Sequence, residues 1–251
     1  MKRLLLIIIS FVLITELSAQ NSTQTIVDSA FNSYMRKDYD EAAKLYKTLL
    51  NQNYSSADLY YNLANCYMQN DDIANAIYYY EKARVLSPND DNINYNLRIA
   101  NARKKDKVEE LPVIFYKSWF QSAINLMSTN NWAIFAVSSF VISLLLIFVF
   151  LFSNISKLKK ISFFMALATL IIFVFSLIFS VKSAKAIEND NYAIVFSSTM
   201  VKSSPSNDAR NLFEINEGLK IELIDSLNNY YQIRIADGKE GWIISDAVKK
   251  L

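Results

Sequence analysis

Few residues of this chain could act as nucleophiles, general bases or metal ligands. The 251-residue sequence contains no histidine and one cysteine, Cys66. Without histidine, a Ser-His-Asp triad, a Cys-His site, a histidine general base and the usual histidine-containing zinc sites are all excluded. A single cysteine allows neither an intramolecular disulfide nor a C-x-x-C site, so we expect Cys66 to be a small core residue.

The charged residues do not point to a reaction either. An enzymatic function would need a nucleophile beside a base, or two carboxylates in one cleft, and the 24 Asp and Glu are scattered along the chain, so only the fold could bring such a group together. The 26 Lys and Arg leave a formal net charge of +2, which argues against a nucleic-acid binder. We therefore predict a non-enzymatic protein without cofactor or bound metal.

The first residues have the composition of an export signal. Lys2 and Arg3 precede an apolar run from Leu4 to Ile14, and small residues follow up to Ala19. This order predicts a secretory signal peptide over residues 1–19, with an uncleaved anchor as the alternative. In both cases the segment that follows is expected to be exported.

Two later apolar runs are long enough to cross a bilayer. Residues 132–152 and 161–181 carry no charge, and at ~1.5 Å per residue each run spans about 30 Å as a helix. Three lysines occupy the short segment 153–160 between them, which predicts a cytoplasmic loop by the positive-inside rule. Residues 111–131, rich in aromatic side chains before the first span, predict an interfacial linker, and 182–191 a second linker.

Residues 20–110 contain a repeat with an offset of 34 positions. The matching pairs are Ala30 and Ala64, Asp38 and Asp72, Ala42 and Ala76, and Tyr46 and Tyr80; "YNL" at 61–63 recurs at 95–97. This period and these residues resemble the tetratricopeptide repeat, in which small residues let two helices pack closely. The resemblance implies two helical repeats followed by a capping helix from about Asp91 to Lys104.

The same resemblance implies a partner-binding groove on the first helix of each repeat. The residues at those positions are Phe31, Tyr34, Tyr61, Asn65, Met68 and Tyr95. An aromatic and methionine-containing surface suits an apolar or extended peptide. The lysine and arginine positions of carboxylate-gripping repeats are not matched. A purely structural spacer is the alternative interpretation.

Residues 192–251 have the pattern of a small β-barrel. "YYQIRIADGKEGWI" at 230–243 alternates apolar and polar residues around an Asp-Gly turn. The segment is similar to bacterial SH3-like domains, most specifically in "DGKEGWI" at 237–243. That resemblance implies binding of peptide or cell wall, with Tyr230, Tyr231 and Trp242 as surface candidates, although Trp242 is also compatible with a barrel-wall position.

The predicted fold class is therefore a multidomain membrane protein: an all-α repeat domain, a two-helix transmembrane hairpin and a small all-β SH3-like barrel. This order of domains resembles the BatE-like family of the Bacteroides aerotolerance (Bat) operon. The resemblance implies a periplasmic scaffold at the bacterial inner membrane. The implied partners are membrane proteins with von Willebrand A domains and a MoxR-type AAA+ ATPase. The alternative function is a cell-wall sensor that binds peptidoglycan through the SH3-like domain.

Overall fold

The structure is a computed structural model that describes residues 23–108, 115–187 and 191–251. The predicted signal peptide lies outside the described residues, as do parts of both predicted linkers, 111–114 and 188–190. The helices are α1 (described over 23–35), α2 (Tyr39–Asn51), α3 (Ala57–Gln69), α4 (Ile73–Leu86), α5 (Asp91–Arg103), α6 (Phe115–Ile124), α7 (Thr129–Phe152) and α8 (Ser156–Ile187). The strands are β1 (Tyr192–Val195), β2 (Thr199–Lys202), β3 (Asn211–Ile215), β4 (Lys220–Leu227), β5 (Tyr230–Arg234), β6 (Glu240–Ile244) and β7 (Val248–Lys250).

The 34-residue offset appears in the repeat domain, residues 23–108, as recurring helix caps. Asp38 and Asp72 cap the second helix of each repeat by accepting a hydrogen bond from a backbone N–H three residues later. Ser56 and Asp90, also 34 positions apart, cap α3 and α5 in the same way. The caps explain why the helices begin where they do, and α5 agrees with the predicted third helix.

The turns within this domain are made without glycine. Lys37 (φ 65°), Asn53 (φ 60°) and Asp71 (φ 59°) all adopt the left-handed conformation, and Lys37 and Asp71 are again 34 positions apart. Asparagine and aspartate tolerate this region better than lysine because their short side chains bond locally. At Lys37 the turn is closed by two backbone hydrogen bonds, from Lys37 N–H to the Tyr34 carbonyl and from Asp38 N–H to the Ser33 carbonyl, both 2.9 Å.

Small residues at the helix contacts allow close packing in the repeat core. Ala42 and Ala76 are fully buried, and Tyr46 and Tyr80 are almost fully buried. Cys66 is fully buried in the same core, as its sequence context predicts. Its burial raises the pKa of the thiol to about 12, so the thiolate needed for nucleophilic chemistry is not formed at neutral pH.

Two helices of the described chain, α7 and α8, are long and apolar enough to cross a membrane. They pack together as a hairpin in which Ser139 and Ser143 are buried, and the Ser143 hydroxyl donates to the carbonyl of Ala166 at 3.2 Å. Aromatic rings, such as those of Phe140 and Phe173, also pack across this contact. Only residues 153–155 are non-helical between them, so the lysines of the predicted loop lie in the first turns of α8.

The β domain, residues 191–251, is a seven-stranded antiparallel sheet with the order β3-β2-β6-β5-β4-β1-β7. Ile233 and Ile235 face its core, as the alternation predicts. Gly241 is required where β6 meets β2, because a Cβ there would lie 2.4 Å from Val201 Cγ1. The predicted fold class is thus confirmed: helical repeats, two apolar helices and a C-terminal all-β domain.

Candidate binding surfaces

The six residues of the predicted groove differ in how far they are available to a ligand. Phe31 and Tyr95 are 55% and 57% exposed, whereas Tyr34, Tyr61, Asn65 and Met68 are half-buried. Tyr34 packs edge-on against Tyr39 with 5.2 Å between ring centroids, and its burial raises the pKa of its hydroxyl. The structure thus leaves two aromatic side chains open on this face and uses the others partly for packing.

A hydrogen-bond network joins two of the groove residues to their neighbours. The Tyr80 hydroxyl donates to Asn65 Oδ1 at 2.5 Å, and Asn96 Nδ2 donates to both the Tyr61 hydroxyl (2.8 Å) and Asn65 Oδ1 (3.2 Å). These bonds link α3, α4 and α5 and hold Tyr61 and Asn65 in place. Burial raises the pKa of Tyr80 far above its usual range, so its hydroxyl stays a donor.

Sequence reasoning missed Asn96, although a signal for it was present. Asn96 is the central residue of the second "YNL", and the first copy places Asn62 at the same position. A polar residue conserved between two copies of a repeat predicts either a surface contact or a shared hydrogen bond. In the structure, Asn96 forms the shared hydrogen bonds to Tyr61 and Asn65.

The three candidates of the β domain do not form one surface. Trp242 is the cross-strand partner of Gln232, so it shares a sheet face with Gln232 and Tyr230, while Tyr231 points to the opposite face with the buried Ile233. The Tyr230 hydroxyl donates to Asn207 Oδ1 at 2.6 Å. A ligand that contacts Tyr230 and Trp242 therefore does not reach Tyr231 from the same side.

A buried ion pair connects the repeat domain to the β domain. The side chain of Glu81 is 5% exposed, and its Oε2 accepts from Lys220 Nζ of β4 at 2.9 Å and from Arg84 Nη2 at 2.6 Å. A carboxylate at this depth needs partners that replace its lost hydration. Glu81 lies four residues after the buried Ile77 and therefore on the same face of α4. An acidic residue at this position in the sequence could have indicated a buried carboxylate.

A second polar contact lies at the same interface, which we call the junction. Asp106 accepts from the backbone N–H of Asn216 at 2.7 Å and from its Nδ2 at 2.8 Å, and Lys105 Nζ donates to Asn216 Oδ1 at 2.9 Å. Gly218, at φ +82°, approaches α4 so closely that a Cβ would lie 3.2 Å from Ile77 Cδ1. The two domains therefore contact each other directly through specific side chains.

Comparison with known protein families agrees with both folded domains. The family model described as tetratricopeptide repeat matches residues 34–91, and the one described as bacterial SH3 domain matches residues 197–249. The chain is similar to both families over those residues. No curated protein matches the chain. Both families are typically binding modules without catalysis, and within the described residues no group of three or more acids or cysteines is placed to hold a metal ion.

Proposed function

We propose that the chain is a membrane-anchored scaffold that binds partner proteins through its repeats and its SH3-like domain. The observation that supports this most is the junction. Glu81 and Asp106 of the repeats bond directly to Lys220 and Asn216 of the β domain, so two binding modules are presented with a defined relative position. A fixed pair of modules holds two ligands at one distance, which is the physical basis of a scaffold.

The proposal places both modules on the periplasmic side of the bacterial inner membrane, anchored by α7 and α8. The lysines Lys157, Lys159 and Lys160 between the two apolar segments support a cytoplasmic turn. The two folded domains precede and follow the hairpin, so they lie on the same side of any bilayer that it crosses twice. Their contacts at the junction support this arrangement.

The proposed partners follow from the resemblance to the Bat operon family. They are membrane proteins with von Willebrand A domains and a MoxR-type AAA+ ATPase, in a complex that serves aerotolerance or the response to envelope stress. The predicted groove, with the exposed Phe31 and Tyr95 and the positioned Tyr61, is the contact that we assign to them.

The test is crosslinking and affinity purification of the full-length protein from its native membrane, followed by mass spectrometry. We expect the proposed partners to be recovered, and their yield to fall when Met68→Lys or Tyr61→Lys places a charge on the first-helix face. Thr48→Lys, on an exposed position of the second helix of the first repeat, is the matched control and is expected to retain them. Unchanged recovery with all three variants would show that the groove is not the contact.

A cell-wall sensor is the second candidate, favoured by the match to the bacterial SH3 domain model. It requires the protein in detergent to sediment with purified peptidoglycan, and Trp242→Ala to reduce that sedimentation. The turn of three non-helical residues between α7 and α8 offers little for transmitting a signal inward. Recovery of wall fragments without protein partners would favour the sensor over the scaffold.

A further inference from the structure

A surface separate from the predicted groove lies beside the junction. A cavity of about 330 Å³ opens between the α2–α3 loop, α3 and α4. Its walls include Asn53, Tyr54, Tyr60, Tyr78, Tyr79 and Lys82. None of these six belongs to the groove on the first helices, so this cavity presents a different side of the repeat domain to ligands.

The aromatic rings of the cavity pack on one another as a rigid wall. The ring of Tyr79 stacks on Tyr67 at 5.6 Å between centroids with an interplanar angle of 3°, and on Tyr60 at 6.2 Å. Tyr78 packs edge-on against Tyr79 at 5.0 Å and against Phe196 of the β domain at 5.8 Å. Tyr78 and Tyr79 are 4% and 6% exposed, so their packed rings form the floor of the cavity. The half-buried Tyr60 and the exposed Tyr54 supply its accessible ring surface, with little side-chain entropy to lose on binding.

Lysine ammonium groups from both domains lie over this wall. Lys82 Nζ of α4 is 5.7 Å from the ring centroid of Tyr60 and 5.3 Å from that of Tyr78. Lys249 Nζ of β7 is 4.4 Å from the Tyr78 centroid and 5.6 Å from that of Tyr79. These distances are within cation–π range. The rings thus hold Lys82, which lines the cavity, and Lys249, which reaches Tyr78 and Tyr79 from the β domain.

A third lysine adds to the same positive region. Lys47 Nζ of α2 lies 5.1 Å from the ring centroid of Tyr67. The pKa of Lys249 is lowered, first by its burial and then by the positive charges of Lys82 and Lys47. Like charges thus act on one another across the rings, and an anion placed among them would be attracted by all three.

We propose that this surface, formed by Tyr60, Tyr78, Tyr79 and the lysines 47, 82 and 249, binds an acidic peptide segment of a partner protein. Carboxylates of the segment pair with the three ammonium groups, and one of its aromatic or apolar side chains enters the cavity. The inference rests on the proposed scaffold function and names the chemistry of its partner. A concave cavity of this volume accommodates side chains, whereas a bilayer offers only a broad headgroup surface.

The test uses the full-length protein in nanodiscs of zwitterionic lipid and a short fluorescein-labelled peptide that alternates aspartate and phenylalanine. Fluorescence anisotropy is expected to show binding that weakens as salt rises. Lys82→Gln and Lys249→Gln should each weaken binding about fivefold, since one cation–π-supported ion pair contributes on the order of 1 kcal/mol. The double variant should weaken it by more than either single change.

Matched controls separate charge from folding. Lys44→Gln removes a lysine of α2 whose side chain is 79% exposed and paired with Glu41, and it should leave binding unchanged. Lys82→Arg keeps the positive charge and should retain binding. Loss of binding in both Lys82→Arg and Lys82→Gln would indicate misfolding rather than loss of charge. A peptide with asparagine in place of aspartate should bind at least tenfold more weakly, because it lacks the charges.

Three results would overturn the proposal: no binding of the acidic peptide, equal binding of the asparagine peptide, or equal affinity of the wild type and the double variant. Binding of phosphatidylglycerol vesicles but not of the peptide would instead assign the lysines to an anionic membrane surface. The peptide assay is independent of co-purification. If the peptide does not bind but partner proteins are still recovered, this site is rejected and the scaffold function stands. If the peptide binds but no partner proteins are recovered, the site is supported and the scaffold function is rejected.

Discussion

The junction between the two folded domains adds buried ion pairs and hydrogen bonds to its apolar contacts, whereas the hairpin of α7 and α8 is held mainly by apolar and aromatic side chains. At the junction a buried carboxylate, Glu81, is matched by two cations, and Asn216 by Asp106 and Lys105. In the hairpin, aromatic rings pack across the contact, such as Phe140 with Phe173, and the Ser143 hydroxyl donates to a backbone carbonyl of the other helix. A buried ion pair is sensitive to the loss of one partner, while packing spread over many side chains loses less when one small group is removed.

The largest effect is expected from Lys220→Met. The change leaves Glu81 buried with Arg84 as its remaining partner, so we expect a loss of ~2–3 kcal/mol in the free energy of unfolding. Urea unfolding in detergent measures it, followed by the fluorescence of Trp242 in a background with Trp119 and Trp132 replaced by phenylalanine. Lys239→Met breaks an ion pair with Asp237 that is exposed in the same domain, and should cost less than ~0.5 kcal/mol. Equal costs for both variants would contradict a special role for the junction pair.

Gly218→Ala tests the close approach at the junction. A Cβ at Gly218 combines a positive φ with a contact 3.2 Å from Ile77 Cδ1, and we expect a loss of ~1–2 kcal/mol. Gly238→Ala has a similar φ of 89° but lies in the turn between β5 and β6, so it measures the backbone cost by itself. Faster hydrogen exchange in α4 with Gly218→Ala, and not with Gly238→Ala, is the expected signature.

Ser143→Ala should have a smaller effect on the hairpin. Interhelical hydrogen bonds in membranes contribute about 0.6 kcal/mol on average, so a comparable decrease is expected in unfolding by sodium dodecyl sulfate. Thr169→Ala is the control, because the Thr169 hydroxyl bonds to carbonyls of its own helix. A loss at Ser143 as large as that at Lys220 would remove the contrast between the two contacts.

The smallest effect is expected in the pH dependence of the free energy of unfolding. The pKa of Lys249 in the folded protein is below the ordinary 10.5, so between the two values the unfolded chain binds more protons. Stability from this group therefore rises with pH in that window. Relative to Lys249→Gln, the wild type should gain stability when the pH is raised from neutral to just below 10.5. A constant difference between the two proteins would show that Lys249 is not perturbed at the junction.

The sequence predicted the elements of each domain better than the contacts between domains. The 34-residue offset locates helices because caps such as Asp38 and Asp72 act within three residues of themselves. The Asp-Gly turn at 237–238 likewise predicts a hairpin from local backbone requirements. The junction joins residues 110 and 139 positions apart by common residue types, so no local pattern marks them.

The candidate sites were predictable to a similar degree. The family resemblance placed six residues on the first helices, and Tyr61 and Asn65 do meet, but through Asn96. The aromatic cavity with Lys82 and Lys249 was not predicted, because one lysine comes from each domain. Whether Phe31, Tyr95, Tyr230 or Trp242 contacts a partner stays a prediction.

The length of α8 has a further consequence. Its 32 residues extend about 48 Å at ~1.5 Å per residue, which exceeds the ~30 Å of a bilayer core. Embedded in a membrane, the helix tilts or continues beyond the lipid as a stiff stalk, and it ends shortly before β1. The thickness of the membrane then determines how far above the lipid the β domain lies. One residue inserted in the part of α8 outside the lipid would rotate the end of the helix by about 100° and so oppose the contacts at the junction.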